Sequence, residues 1–384
     1  MKYYIYENTN TKLLEPFSIN HASFELRCGA FSNIQRVMMQ MEPDSELVLI
    51  VRNGIEALIK DRFPGLTVNP NTLSAGYYID GSALISSKDD IKELYIEKIK
   101  ENISYSDGKF SSELNNKGAS SNLKYISYLW DIFDFQPSII DYDLIYFRDK
   151  KNDNTIYSNK NISLINKSSI YIADSAQVCS GAIIDASTGP VIIDSCVFVD
   201  IGVLIKGPAY IGKGTILNPG LKIRGNFSAG MKSKVGGEVE DSVIQGYSNK
   251  QHDGYLGHSY IGEWVNIGAG TSTSDLKNNY SSIRYLYNND NMIDTNRTFL
   301  GSMIGDYSSL GIMSMLNSGT NIGFGSNIFG SGFQDKYVKP FSWGHEDKVG
   351  YNRFINSIKK IKLRRDETLS DVEKNFILDI YSKS

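Results

Sequence analysis

The pattern of apolar residues changes near residue 168. From there, aliphatic residues recur at every sixth position and are separated by Gly, Asn, Asp and Ser. A period of six matches neither the 3.6 of a helix nor the 2 of an isolated strand. It is typical of a parallel β-helix, in which three short strands and three corners close one triangular coil. The repeated positions are Ile172, Val178 and Ile184; after a short insertion, Ile193, Val199, Ile205, Ile211, Leu217 and Ile223; after an interruption, Ile261 and Ile267; and later Ile304, Leu310, Leu316, Ile322 and Ile328.

The repeats predict roughly five to seven coils, with an insertion near residues 275–300 that breaks the period. After "FSWG" (341–344) the apolar spacing becomes helical, in "YNRFINSIKKIKLRR" and "TLSDVEKNFILDIY". Thr368 or Ser370 is suited to cap the second of these helices.

The first 150 residues show a mixed α/β pattern. "KYYIY", "SELVLIV" and "AGYYID" are expected to be strands, whereas "GIEALIKDRF" and "SSKDDIKELYIEKIK" have helical spacing. The segment 102–122 is polar and predicts a surface excursion, and 152–166 predicts a domain boundary. We therefore expect an α/β domain over 1–160, a β-helix over 168–344 and helices over 345–384.

Composition narrows the class of protein. The chain has 384 residues, a formal net charge of -3 and three cysteines, Cys28, Cys179 and Cys196. This charge gives no electrostatic reason to expect nucleic acid or an anionic membrane as a partner. The cysteines match no metal spacing, and no apolar run approaches the roughly 20 residues that a membrane span needs. We expect a soluble, cytoplasmic protein in a reducing setting.

Several long motifs resemble one family. They are "LLEPFSINHASFELRCG", "WDIF", "VGGEVEDSVIQGYSNKQHDGYLG", "GEWVNIGAGTSTSDLKNNY", "GSNIFGSGF", "FSWG" and "LRRDETLSDVE". Together they are similar to the alternate, Bacteroidetes-type bifunctional N-acetylglucosamine-1-phosphate uridyltransferase/glucosamine-1-phosphate acetyltransferases. The resemblance implies a nucleotidyltransferase-like α/β domain, a left-handed β-helix and a short helical tail. It also implies a homotrimer with acetyl-CoA bound between adjacent β-helices.

The implied activity is nucleotide-sugar synthesis for the cell envelope. An amino-sugar 1-phosphate is acetylated, and a sugar 1-phosphate then reacts with a nucleoside triphosphate, UTP in the resemblance, to give a nucleotide sugar such as UDP-N-acetylglucosamine. Mg²⁺ is expected with the triphosphate. Two alternatives stay open. In the first alternative, only one of the two activities is retained. In the second, the protein is a non-catalytic β-helix trimer that senses a nucleotide or sugar phosphate.

In this resemblance, His252 falls on the catalytic histidine, which would act as a general base. Tyr255 and Asn266 fall on substrate-contacting positions, and the main chain at Gly268 and Ala269 would approach the pantetheine of the cosubstrate. The alternative for His252 is a polar corner residue that bonds to the next coil. His258 has no match and is expected to be structural. A zinc site needs three protein ligands, which the repeats do not supply.

One departure from the family pattern concerns the phosphate of the acceptor. Acidic residues, Glu240 and Asp241, follow Val239 where the family has lysines. Lys234, Lys250 or Lys277 would then be the phosphate-binding lysine.

The N-terminal half lacks the glycine-rich loop that usually cradles a triphosphate. Its substitute is "ELRCGAFSNIQR", with Arg27 and Arg36 as phosphate ligands and Gly29 allowing close main-chain approach. Asp80 in "YYIDG" and Asp131 in "WDIF" are the candidate metal ligands. The alternatives are a structural salt bridge for Arg27 and a turn residue for Asp80.

Overall fold

A computed structural model describes residues 1–92, 94–96, 123–148, 161–288, 291–345 and 347–384. These residues divide into two compact units. The N-terminal unit comprises Met1–Arg27, Phe31–Asp131 and Ser370–Asp379, and the β-helix unit comprises Cys28–Ala30, Ile132–Leu369 and Ile380–Ser384. The predicted excursion at 102–122 lies outside the described residues, as does most of the predicted boundary at 152–166. The predicted domain limits therefore stay a prediction.

The first part of the chain alternates short strands and helices. Its strands are β1 (Lys2–Tyr6), β2 (Arg27–Cys28), β3 (Phe31–Ser32), β4 (Glu46–Ile50), β5 (Thr67–Val68), β6 (Gly76–Asp80), β7 (Ala83–Leu84), β8 (Tyr95–Ile96) and β9 (Lys124–Tyr125). Its helices are α1 (Asn33–Gln40), α2 (Glu56–Arg62) and α3 (Lys88–Lys92). A sheet with the order β5-β4-β1-β6-β8 forms the centre of the N-terminal unit. Strands β5, β4, β1 and β6 are parallel, and β8 is antiparallel to β6.

One predicted helix is wrong over part of its length. Helical spacing was expected throughout "SSKDDIKELYIEKIK", but α3 ends at Lys92 and Tyr95–Ile96 form a strand. Tyr95 and Ile96 pair with Tyr77 and Gly76 at the edge of the sheet, and Ile96 is buried there. Burial against a sheet edge therefore overrides the local helical pattern. Residues 97–100 lie outside the described part of the chain.

Helices α4 (Ile132–Asp143) and α5 (Ile145–Arg148) precede a long series of short strands. These are β10 (Ser163–Ile165), β11 (Ile170–Ile172), β12 (Gln177–Val178), β13 (Ile183–Asp185), β14 (Val191–Ile193), β15 (Phe198–Val199), β16 (Leu204–Lys206), β17 (Ala209–Ile211), β18 (Ile216–Leu217), β19 (Lys222–Ile223), β20 (Phe227–Ala229), β21 (Lys234–Val235), β22 (Glu238–Glu240), β23 (Ser242–Gly246), β24 (Asn249–Lys250), β25 (Tyr255–Gly257), β26 (Tyr260–Glu263), β27 (Asn266–Ile267), β28 (Ser272–Thr273), β29 (Arg284–Asn288), β30 (Asn291–Asp294), β31 (Ser302–Ile304), β32 (Ser309–Leu310), β33 (Met315–Leu316), β34 (Thr320–Ile322), β35 (Asn327–Ile328), β36 (Tyr337–Val338), β37 (Ser342–Trp343) and β38 (Asp347–Lys348).

The strands stack into the sheets of a parallel β-helix, which confirms the predicted architecture. One sheet runs β11-β14-β17-β20-β23-β26-β31-β34-β36, so each strand pairs with its equivalent one coil away. The aliphatic residue of each repeat points inward. In β16, for example, Ile205 is buried while its neighbours Leu204 and Lys206 are exposed. The predicted insertion is the antiparallel hairpin of β29 and β30.

The β-helix is longer than the strict repeats predict, because this sheet alone has nine strands in the described residues. The expectation of five to seven coils is therefore too low. The difference arises between Ile223 and Ile261, where the period of six is lost but strands β20–β25 continue the coils. The inward positions in this segment include Ala229 and Lys250, which an aliphatic pattern does not detect.

The chain ends in two helices, α6 (Tyr351–Leu363) and α7 (Asp371–Lys383), as predicted. Ser370 caps α7, since its Oγ accepts a hydrogen bond of 3.1 Å from the main-chain N–H of Glu373. Among the described residues, no helix combines the length and apolar character that crossing a membrane requires.

Candidate functional site

His252 lies at the corner between β24 and β25, in the part of the β-helix where the aliphatic repeat is lost. The residue is exposed. Within the described part of the chain, its imidazole has no hydrogen-bond or ion-pair partner. The alternative interpretation expects His252 to bond to the next coil, but its side chain makes no such bond among the described residues. An exposed, unengaged imidazole is free to exchange protons with a bound molecule.

Lys250 occupies an inward position of the β-helix. It pairs with Val235 of the preceding coil, and its side chain is buried. The ammonium donates hydrogen bonds to the main-chain carbonyls of Gly236, at 3.1 Å, and of His252, at 2.5 Å. Burial lowers the pKa of Lys250 to about 8, although the charge of Asp253 opposes this shift. Lys250, one of the three candidate phosphate-binding lysines, thus contacts the main chain that carries His252.

Tyr255 lies three residues after His252, in β25, and joins two carboxylates. Its hydroxyl contacts Glu240 Oε1 at 2.5 Å and donates to Asp275 Oδ2 at 2.8 Å. Burial, followed by these two hydrogen bonds, raises the pKa of Tyr255 well above its ordinary value. The guanidinium of Arg224 forms an ion pair of 3.1 Å with Glu240. The predicted substrate-contacting tyrosine is therefore the centre of a polar network.

His258, for which the sequence predicts only a structural role, completes this network. Its Nδ1 lies 2.8 Å from Asp275 Oδ2, and its Nε2 lies 3.7 Å from Asp241 Oδ2. The ring stacks on Phe299 with the centroids 5.2 Å apart. Burial raises the pKa of Asp275, but the hydrogen bonds from His258 and Tyr255 outweigh it and lower the pKa overall.

We name Glu240, Asp241, Tyr255, His258 and Asp275 the acidic cluster. In the sequence, Glu240 and Asp241 stand out only as departures from a family pattern, and no motif points to Asp275. Tyr255 and Asp275 are 20 residues apart in the chain, so no local spacing links them. The signal available in the sequence was the replacement of lysine by two consecutive acidic residues.

Asn266, the other predicted substrate-contacting residue, begins β27 and is exposed. It pairs in register with Asn249 of the preceding coil and with Ser309 of the next. Its Oδ1 accepts a hydrogen bond of 3.3 Å from Asn249 Nδ2. This leaves the amide nitrogen of Asn266 available as a donor at the surface.

Gly268 and Ala269, the predicted cosubstrate-binding residues, follow β27. A Cβ on Gly268 would lie 2.6 Å from the carbonyl carbon of Gly311, so the neighbouring coil itself requires glycine here. The carbonyl of Ala269 accepts a hydrogen bond of 2.7 Å from the N–H of Met313. Lys277 donates to the carbonyl of Ser282, inside its own loop. Binding roles for these residues stay predictions.

The predicted phosphate ligands of the N-terminal half differ in exposure. Arg27 lies in β2 and is half-buried, and Gly29 has a φ of +71°, which favours glycine. Arg36 lies in α1 with only 1% of its surface exposed, and its guanidinium carbon is 5.7 Å from the centre of the Phe31 ring. Arg36 therefore packs inside the N-terminal unit.

Asp80 and Asp131, the predicted metal ligands, each accept hydrogen bonds from nearby residues. Asp80 is buried and accepts bonds from Asn8 Nδ2, at 2.7 Å, and from the N–H and hydroxyl of Ser82. Burial raises the pKa of Asp80 above its ordinary value, although these hydrogen bonds oppose the shift. Asp131 accepts bonds from the N–H groups of Ser127 and Tyr128. Asp80 thus makes the contacts of a turn residue.

Comparison with known proteins supports the resemblance inferred from the motifs. The chain is similar to bifunctional protein GlmU of Thermotoga sp. (strain RQ2), with 32% identity over 167 residues, 42% of this chain and 29% of the relative. Bifunctional protein GlmU of Acidithiobacillus ferrooxidans (strain ATCC 53993 / BNL-5-31) is 31% identical over 160 residues, 40% of this chain and 32% of the relative. That of Rippkaea orientalis is 29% identical over 134 residues, 30% of each.

The chain spans about a third of the length of these curated relatives. No protein-family model matches the chain. The predicted GlmU-like resemblance is confirmed over these partial matches, together with the predicted order of α/β domain, β-helix and C-terminal helices.

Proposed function

We propose that the β-helix unit transfers an acyl group from an acyl-CoA, acetyl-CoA in the first instance, to the amine of an amino-sugar phosphate. The observation that carries this proposal is the exposed, unengaged imidazole of His252, at a corner whose main chain is held by Lys250. A general base needs a free ring nitrogen and a fixed position. The similarity to bifunctional GlmU proteins supports the same assignment.

The proposed reaction has a simple proton balance. The amine nitrogen of the acceptor attacks the thioester carbonyl, and His252 takes the proton that this nitrogen loses. Collapse of the tetrahedral intermediate breaks the C–S bond, and the proton passes from His252 to the departing thiolate. Asn266, with its free amide nitrogen, is proposed to hold a substrate oxygen.

The acidic cluster indicates which end of the acceptor it would bind. Glu240, Asp241 and Asp275 are carboxylates, which attract an ammonium group and repel a phosphate. We propose that Tyr255 and these carboxylates orient the amino end of the acceptor. Lysines in this position would favour the phosphate end instead. The assay therefore uses a panel of amino-sugar 1-phosphates.

For the N-terminal unit, we propose a sugar-1-phosphate nucleotidyltransferase activity that uses a nucleoside triphosphate such as UTP and releases pyrophosphate. Arg27 and Gly29 are the proposed phosphate contacts. Mg²⁺ would neutralise the triphosphate. Asp80 does not match the requirements of Mg²⁺, because it is buried and both of its carboxylate oxygens already accept hydrogen bonds. No step is assigned to a metal held by Asp80.

A second candidate is that only the β-helix unit is catalytic. The observation that favours it is the burial of Arg36 and Asp80, which removes two of the proposed contacts from the surface of the N-terminal unit.

The homotrimer implied by the resemblance also stays a prediction, and light scattering of the purified protein tests it.

The first experiment incubates the full-length protein with acetyl-CoA and the acceptor panel, and follows release of the CoA thiol. We expect turnover that falls by about 10² or more in His252→Ala, because general-base catalysis contributes this factor. His345→Ala is the matched control, since His345 is half-exposed and pairs with Asp335 outside the corner. Equal turnover in His252→Ala and wild type would refute the role of His252.

The second experiment measures pyrophosphate release from UTP and other nucleoside triphosphates with sugar 1-phosphates. Release that is lost in Arg27→Gln supports the bifunctional proposal. Thiol release without pyrophosphate release supports the second candidate. Absence of both reactions would refute the proposed function altogether.

A further inference from the structure

A cavity of about 280 Å³ opens on the side of the β-helix unit, next to the end of α6. It is separate from the acidic cluster, with which it shares no residue. Its walls combine polar side chains, an aromatic pair and two arginines. The lining residues are Tyr247, Asn249, Trp264, Asn266, Ser309, Ile361, Arg364 and Arg365.

Positive charge accumulates at this cavity. The guanidinium of Arg364 is exposed and has no hydrogen-bond or ion-pair partner in the described part of the chain. Arg365 Nη2 donates to Asn249 Oδ1 at 2.7 Å, and Arg365 Nε donates to the carbonyl of Lys232 at 3.2 Å. Both are neutral acceptors, so the charge of Arg365 is not compensated by these bonds.

Lys234 adds a third cation. It pairs in register with Asn249, one coil away. Burial, together with the charges of Arg365 and Arg364, lowers the pKa of Lys234. Glu367 is the neighbouring carboxylate, but it accepts hydrogen bonds from Lys232, at 3.0 Å, and from the hydroxyl of Tyr247, at 3.3 Å. The charges of Arg364 and Arg365 therefore act on Lys234, which places the three cations in one electrostatic neighbourhood.

The remaining walls supply neutral donors. Asn249, Asn266 and Ser309 occupy equivalent outward positions in three consecutive coils. The ring of Tyr247 stacks on that of Trp264 with centroids 4.3 Å apart, and both rings line the cavity. None of the described lining residues carries a carboxylate. Guanidinium groups beside amide and hydroxyl donors are the groups that bind phosphate oxygens in proteins.

We propose that this cavity binds the phosphate groups of a phosphorylated ligand, through Arg364, Arg365 and Lys234. The inference does not depend on acyl transfer, because binding is measured without turnover. The phosphates belong either to the acyl donor or to a smaller phosphate compound, and the experiment separates these sources.

The test is isothermal titration of the full-length protein with pyrophosphate, coenzyme A and pantetheine, which lacks phosphate. We expect pyrophosphate or coenzyme A to bind, with an affinity that falls as salt is raised. Arg364→Gln and Lys234→Gln should each weaken that binding by about tenfold, since each removes a charged hydrogen-bond donor. Arg364 and Lys234 are chosen because their side chains make no structural bonds in the described chain.

Lys359→Gln is the matched control, because Lys359 is an exposed cation of α6 that does not line the cavity. It should bind as wild type does. Pyrophosphate binding is measured without turnover, so that loss of catalysis and loss of phosphate binding are told apart.

Weaker binding of coenzyme A in Arg364→Gln, with pantetheine binding unchanged, would identify the phosphates of the acyl donor as the occupant. Weaker binding of pyrophosphate alone would identify a smaller phosphate compound. If neither pyrophosphate nor coenzyme A binds, or if Arg364→Gln and Lys234→Gln bind both as tightly as wild type, the proposal is overturned.

Discussion

The ammonium of Lys250 donates a 2.5 Å hydrogen bond to the main-chain carbonyl of His252, from a position inside the β-helix. In the stack of inward residues, Lys250 lies between Val235 and the position of Ile267. A lysine among aliphatic residues destabilises the fold unless its ammonium is bonded. Here it holds the main chain at Gly236 and His252, which fixes the corner that carries the proposed base.

The buried lysine predicts an unusual dependence of stability on pH. The pKa of Lys250 is lowered from 10.5 to about 8 in the fold. Between these values the unfolded chain binds the proton and the folded chain does not, so the free energy of unfolding rises with pH. The rise between pH 7.5 and 9.5 should be about 2 kcal/mol larger in wild type than in Lys250→Met, measured by denaturant unfolding.

Lys222→Met is the control for this measurement, because Lys222 is an exposed lysine of β19 in the same β-helix. It should keep the pH dependence of wild type. A parallel pH dependence in wild type and Lys250→Met would show that the ammonium of Lys250 is not desolvated in the fold.

A second prediction concerns the repeat that defines the β-helix. Ile205 is buried, whereas Leu204, its neighbour in β16, is 40% exposed. Ile205→Ala should lower the free energy of unfolding by about 2–5 kcal/mol, because it removes buried methyl groups and leaves a cavity. Leu204→Ala should cost less than about 1 kcal/mol. Denaturant unfolding of the two variants makes the comparison, and equal losses would contradict the inward assignment of the six-residue repeat.

The fold was largely predictable from the sequence, because the same physical rule acts at every repeat. Each coil must bury one aliphatic residue per strand, so residues such as Val199 and Ile205 recur at a spacing of six. The rule fails where the inward position is not aliphatic. Lys250 occupies such a position, and its burial depends on two carbonyls that only the folded coil brings within reach.

The candidate site was predictable only in part. A family resemblance predicts His252 and Tyr255, whereas nothing in the sequence predicts the pairing of His258 with Asp275. These two residues are 17 positions apart and meet because consecutive coils place one above the other. Strand β8 shows the same limit of prediction from sequence. Tyr95 and Ile96 have helical spacing, but in the fold they pair with the edge of a sheet.

The third prediction distinguishes two candidate caps of α7. Ser370 Oγ accepts from the N–H of Glu373 and lies 2.7 Å from Asp61 Oδ2, to which it donates. Ser370→Ala should lower the free energy of unfolding by about 1 kcal/mol, the usual cost of losing an N-cap. Thr368→Ala, at the exposed residue that was the other candidate, should change it by less than about 0.5 kcal/mol. A larger loss in Thr368→Ala would reverse the assignment.

The fourth prediction tests the acidic cluster. The hydroxyl of Tyr255 bridges Glu240 and Asp275, so Tyr255→Phe leaves two carboxylates without a shared donor. The free energy of unfolding at pH 7 should fall by about 1–3 kcal/mol. Tyr280→Phe is the control, because Tyr280 is 70% exposed, and it should behave as wild type.

Acidification provides the sharper readout for this variant. The pKa of Asp275 lies below its ordinary value of 3.8, and the hydrogen bond from Tyr255 is one of the causes that lower it. The stability from this carboxylate is therefore present above its ordinary pKa and is lost as the pH falls through its folded pKa. The difference between wild type and Tyr255→Phe should shrink when denaturant unfolding is repeated at progressively lower pH below about 4. A difference that is constant down to acid unfolding would place the contribution of Tyr255 in packing alone, because only the loss of a bond to an ionised carboxylate depends on pH.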